Sequence, residues 1–179
     1  MASKKIVAAI NKQINVELYS GYLYFAMSTY CTLQGLKGSA HWLFVQGQEE
    51  MTHAWRFYNY VQKLGEPVIL QAIAQPPSEF LTPLQLFEEV LKHEQKVTGN
   101  INDLVDLATQ ERDHATQVLL QWFVNEQVEE EENAKDTISQ LKLVGKDGSA
   151  LLLVDRELGA RTFVMPPDLA GGTVPVAVA

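Results

Sequence analysis

Apolar residues recur at steps of three or four along four long stretches of the chain, the period of a helix with one buried face. The first stripe runs Ile10, Ile14, Glu17, Gly21, Tyr24, Ser28 and Cys31 and ends near Gly35. The second, with Ser39 as its candidate cap, runs Leu43, Gly47, Glu50, Ala54, Phe57, Val61 and Leu64 to Gly65. The third follows Thr82-Pro83, a hydroxyl cap with proline in the first turn. It runs Leu84, Phe87, Leu91, Glu94, Thr98, Ile101, Val105 and Ala108. After a polar turn at 110–113 the fourth runs Leu119, Phe123, Glu126 or Gln127, Glu130, Ala134, Ile138 and Leu141. Residues 66–82, with Pro67, Pro76 and Pro77, have no period and predict a long non-helical connection. Gly145 to Gly148 breaks the fourth helix, and Ser149 is the candidate cap of a short fifth one ending at Leu158. From Gly159 on, Pro166, Pro167, Gly171, Gly172 and Pro175 predict an irregular tail. Two short connections around one long crossover predict an all-α four-helix bundle, with one domain over 1–158 and a tail over 159–179.

Composition narrows the function classes. At 179 residues and 46% hydrophobic residues the chain is long enough for one sizeable core. Its net charge of -8 speaks against nucleic-acid binding and suits attraction of cations. The apolar run Ile6 to Ile10 is too short for a signal peptide of the usual kind, and no stretch reaches membrane-spanning length. One cysteine, Cys31, excludes an internal disulfide and a paired-cysteine metal site, so a reducing cytoplasm is the expected setting.

Each stripe also carries an acid where a leucine would be expected: Glu17, Glu50, Glu94 and Glu130. Burying one ionised carboxylate costs several kcal/mol unless it is paired or coordinated. A lone glutamate on a stripe ordinarily sits at its edge and reaches water. Four at similar depth, converging from four helices, call for cations instead. His53 lies three residues after Glu50, on the same helix face. Carboxylates with an imidazole suit iron, manganese or zinc better than calcium. A metal pair held by single glutamates and Glu-x-x-His is the known arrangement of di-metal carboxylate bundles. Glu111 and His114 share that spacing but sit in a charged turn with no apolar stripe, which reads as solvated. Glu49 lies about 100° around the helix from Glu50 and flanks the site. Glu126 and Glu129 belong to an acidic stretch that is ordinarily a solvated face, and with Glu49 they are candidates for a further cation.

The segments Asn15-Val16-Glu17-Leu18-Tyr19-Ser20, Gln48-Glu49-Glu50-Met51-Thr52-His53 and Gln121 to Gln127 with the glutamate run closely resemble bacterial non-haem ferritins over roughly residues 4–157. That resemblance implies a ferritin-like bundle with a ferroxidase centre. Glu17, Glu50 and His53 would bind one iron, and Glu50 would bridge to a second held by Glu94 and Glu130. Gln127 would stand close by as a hydrogen-bonding or weak ligand, Tyr24 as a redox-capable phenol and Trp122 as a redox neighbour. Glu49, Glu126 and Glu129 would form a third iron site open to the inside of a protein shell. The implied chemistry is oxidation of two Fe(II) by dioxygen through a bridged diferric intermediate. Fe(III) would then be stored as mineral in a hollow shell of twenty-four copies, with the fifth helix at its four-fold axes.

Departures from related patterns sharpen the expectation. The fourth helix carries Gln127-Val128-Glu129-Glu130, with no second histidine, where bacterioferritins carry Glu-x-x-His. Met51 stands where bacterioferritins place their haem ligand, but non-haem ferritins often carry methionine there too, so packing is expected and haem is not. Residues 116–121 lack the acids that line the iron channel of animal ferritins. A rubrerythrin-like oxidase would need cysteine pairs, a storage-only subunit would lack the acids, and a DNA-protecting mini-ferritin would lack the fifth helix.

Overall fold

The structure, a computed structural model, describes residues 2–145 and 147–170. Four long helices form: α1 (Lys4–Leu33), α2 (Lys37–Lys63), α3 (Pro83–Gln110) and α4 (His114–Val144). A short α5 (Gly148–Leu158) and one turn, α6 (Pro167–Ala170), follow. α1 packs along α2 and α3 along α4, each pair reversing through a connection of a few residues. The crossover runs the length of the bundle beside α1. Its start is held by Asn11, which donates to the Pro67 carbonyl at 3.3 Å and accepts from the Ile69 amide at 2.6 Å. Near its end Phe80 meets the Tyr30 ring edge-on at 5.4 Å. Residues 11 and 30 of one helix stand about 28 Å apart at 1.5 Å per residue. The irregular reading of the tail is corrected at 167–170, where it forms a helical turn; residues 171–179 of the expected tail lie outside the described residues.

Helix ends show where local sequence misleads. Thr82 caps α3 as expected, accepting from the Gln85 amide at 3.1 Å. Ser39, however, is no cap: α2 begins two residues earlier, and its free amides are met from a distance. Asp155 of α5 accepts from the Gly38 amide at 2.9 Å, the Ser39 amide at 2.7 Å and the Ser39 hydroxyl at 2.7 Å. A carboxylate at that end also meets the positive pole of the helix. The approach is so close that a Cβ on Gly38 would stand 1.5 Å from the Asp155 carbonyl oxygen, so only glycine fits. Ser149 likewise is not the cap of α5; Asp147 is, accepting from the Ser149 and Ala150 amides.

The core divides into two apolar clusters. One gathers Leu23, Met27, Leu43, Phe87 and Ile138, with Leu158 of α5 closing it. The other gathers Ile10, Ile14, Phe57, Val61, Ile101 and Phe123. Between them lies a buried polar layer, and all four stripe acids are in it.

Candidate metal centre

Glu17, Glu50, Glu94 and Glu130 are each 4% exposed or less, one from each long helix, with His53 equally buried. Their burial follows from helix register. Each occupies a buried position of its stripe: Glu94 has Val90 and Val97 a turn away on either side, while Glu17, Glu50 and Glu130 have an apolar residue, Ile14, Ala54 and Ala134, a turn away on one side. Carboxylate and imidazole atoms of Glu17, Glu50 and His53 lie within 4.8 Å of one another, close enough to share one ion. A second such group is His53, Glu126 and Glu130. His53 therefore stands between two acids, its Nδ1 3.4 Å from Glu50 Oε2 and its Nε2 3.6 Å from Glu126 Oε1. Trp122 meets the same imidazole edge-on at 5.3 Å.

Neutral donors hold at least one oxygen of each acid. Gln13 donates to Glu17 Oε1 at 2.9 Å, and Gln46 donates to Glu50 Oε1 at 3.3 Å and Glu130 Oε2 at 2.7 Å. Glu94 accepts from the Tyr24 hydroxyl and, at 3.2 Å, from Gln127 Nε2. Glu17 Oε2 and Gln127 Oε1 are buried and receive no hydrogen bond. Bare buried acceptors are rare because each carries an unrepaid desolvation cost, so these two oxygens are fitted to receive a cation.

Electrostatics point the same way. Burial, reinforced by the Glu50 charge, pushes the carboxyls of Glu17 and Glu130 up to about 8. Burial and the Glu50 and Glu130 charges push Glu94 well above the usual carboxylate range. Burial also lifts Glu50, but the His53 charge outweighs it and holds Glu50 below its ordinary value. For His53, burial opposes the charged ring, yet Glu50 and Glu126 raise it well above the ordinary histidine value. Tyr24 is raised by burial and by the Glu94 charge, which keeps the phenol protonated and donating. The raised values favour protons on Glu17, Glu94 and Glu130, while the His53 ring balances the charge of Glu50.

The third set expected from the sequence is arranged differently. Glu49, Glu126 and Glu129 do not close into one group; with Glu130, Trp42 and Arg161 they line an open cavity of about 370 Å³ beside the buried layer. Glu49 is half-buried and Glu129 exposed. Met51 packs on α1, its Cε 2.2 Å from where a Cβ of Gly21 would be, so packing explains it as expected. Three participants escaped the sequence reading. Gln13 and Gln46 sit four residues before Glu17 and Glu50, and that repeated Gln-x-x-x-Glu spacing was a usable signal. Arg161 lies in a segment without periodicity and gave none.

With this geometry in hand, comparison with known proteins is decisive. A family model for the ferritin-like domain matches residues 7–144. The chain belongs to the ferritin family. A bacterial non-haem ferritin of Staphylococcus aureus is 38% identical over 163 residues, 91% of this chain and 98% of the relative. Among solved ferritins, an open-pore form from the hyperthermophilic archaeon Archaeoglobus fulgidus is 49% identical with a TM-score of 0.88, covering 89% of this chain and 98% of that one. A humanized archaeal ferritin is 47% identical with a TM-score of 0.91, covering 92% and 100%. The ferritin bundle with its short fifth helix is therefore the fold. Among the described residues no helix is long and apolar enough to cross a membrane.

Proposed function

We propose that this ferritin stores iron and oxidises it on the way, at a dinuclear ferroxidase centre in the buried polar layer. The observation that carries the reading is the burial of four acids and a histidine from the four helices around acceptors that receive no hydrogen bond. One Fe(II) is held by Glu17, Glu50 and His53. Glu50 bridges to a second, held by Glu94 and Glu130, with Gln127 beside it. The two Fe(II) give one electron each to dioxygen, which with two protons becomes hydrogen peroxide, and the hard carboxylate oxygens favour the Fe(III) that results. Binding displaces the protons held on Glu17 and Glu130, so uptake at neutral pH releases acid. Tyr24, a redox-capable phenol, donates to Glu94 of the second position. Glu49, Glu126 and Glu129 stand beside this pair, around a cavity that also holds the Arg161 guanidinium.

The unit over 1–158 assembles with copies of itself into a hollow shell of twenty-four subunits in the cytoplasm. Large apolar side chains left half or more exposed, among them Leu33, Trp55 and Leu143, suit burial between copies. Crystals soaked with iron and measured by anomalous scattering test the centre. Peaks are expected amid Glu17, Glu50 and His53 and amid Glu50, Glu94 and Glu130; a loaded crystal with neither peak would overturn the assignment.

A further inference from the structure

The segment after α5 returns to the bundle and places a guanidinium among the acids beside the centre. Arg161 donates through Nη2 to Glu49 Oε2 and through Nη1 to Gln46 Oε1 at 2.5 Å. Its guanidinium carbon stands 4.5 Å from the centroid of the Trp42 ring. Its backbone carbonyl meets His41 Nε2 at 2.8 Å. Further along, Asp168 accepts from both terminal nitrogens of Arg56, at 2.6 and 3.0 Å. Arg56 in turn lies over the Trp122 ring, 4.0 Å from its centroid. The segment is thus tied to α2 at two points, and the Arg161 side chain is only 19% exposed.

A guanidinium is a permanent cation with five donors and no acceptor. Two consequences follow from its position. The Gln46 atom facing Arg161 has to be the amide oxygen, so Nε2 faces Glu50 and Glu130. Arg161 therefore fixes the orientation of the amide that bonds both carboxylates. Glu49, meanwhile, already has its counter-charge. A metal ion among Glu49, Glu126 and Glu129 would lie beside a like charge and compete for the same carboxylate.

We propose that Arg161 occupies the place of the third iron implied by the sequence resemblance, so that each subunit binds two metal ions and not three. Arg161 is here a specificity-determining residue supplied by the chain itself. This rests on the dinuclear reading above.

Equilibrium dialysis of the assembled protein against Zn(II), a redox-inert ion taking the same ligands, tests it. Wild type should bind about two Zn(II) per subunit and Arg161→Ala about one more. Adding Glu49→Gln to Arg161→Ala should return the count to the wild-type value. Arg161→Lys keeps the charge and should hold the wild-type count. Equal counts in wild type and Arg161→Ala would overturn the proposal, as would an Arg161→Lys count matching that of Arg161→Ala. The dinuclear reading is checked separately with Glu50→Ala/His53→Ala. If that variant binds as many Zn(II) as wild type, the centre is misassigned, whatever the Arg161 comparison gives.

Discussion

Glu17 and Glu50, from α1 and α2, share their surroundings with a histidine, and one oxygen of Glu17 receives no hydrogen bond. Glu94, from α3, has both carboxylate oxygens bonded, by the Tyr24 hydroxyl and the Gln127 amide. Glu130, from α4, accepts from Gln46. Both halves accept from neutral glutamine donors, but the α1–α2 half adds an imidazole and a bare carboxylate oxygen, while in the α3–α4 half both oxygens of Glu94 are bonded and the bare acceptor is the Gln127 amide oxygen. A cation entering the first half must displace the protons of Glu17 and His53; one entering the second must displace protons and also break the hydrogen bonds that hold both oxygens of Glu94. Buried acids are thus carried in two ways, by a charged partner at Glu50 and by shared protons at Glu17, Glu94 and Glu130.

Substitutions at equivalent places in the two halves give the largest contrast. His53→Ala should slow Fe(II) oxidation by about 100-fold and Gln127→Ala by about 10-fold, the span typical of groups in and around metal sites. Equal losses in rapid-mixing assays would break the distinction.

A smaller effect is expected from pH. The folded carboxyls of Glu17 and Glu130 lie near 8, above their ordinary 4.5. A raised acid stabilises the folded state fully below the unfolded value, and that contribution is lost as pH rises through the folded one. The melting temperature of the metal-free protein should therefore fall by a few degrees from about pH 4.5 to about pH 8. Glu17→Gln should flatten the fall in calorimetric scans, and an unchanged slope would count against the shared-proton account.

The smallest contrast is Tyr24→Phe, which removes one donor from Glu94. It should cost the metal-free protein about 1–3 kcal/mol of stability, read by denaturant titration. A neutral result would mean that Glu94 does not depend on that bond.

Much of the bundle was legible because helical period and burial coincide. The stripes of α1 and α2 are buried nearly as written, and Thr82-Pro83 opens α3 as a local signal should. In α3 the expected Leu84, Leu91, Thr98 and Val105 are half-buried, and Leu86, Val90, Val97 and Leu104 lie deeper. Both stripes pass through Phe87, Glu94, Ile101 and Ala108, so the acid was placed correctly although the face was turned by a fraction of a step. The buried polar layer was readable for a physical reason: acids at core positions conflict with burial, and the conflict marks where the layer lies. Asp155 capping α2 and Arg161 bonding Glu49 were not readable, since both join residues more than a hundred positions apart. Nothing local marks the partner in such a contact.

Rapid mixing of the assembled protein with Fe(II) in aerated buffer tests the central claim most directly. Wild type should show a fast ferric absorbance phase with an amplitude of about two Fe(II) per subunit. Glu50→Ala/His53→Ala should lose that phase, leaving only slow oxidation. A double variant that oxidised Fe(II) at the wild-type rate would contradict the assignment of the buried layer as a ferroxidase centre.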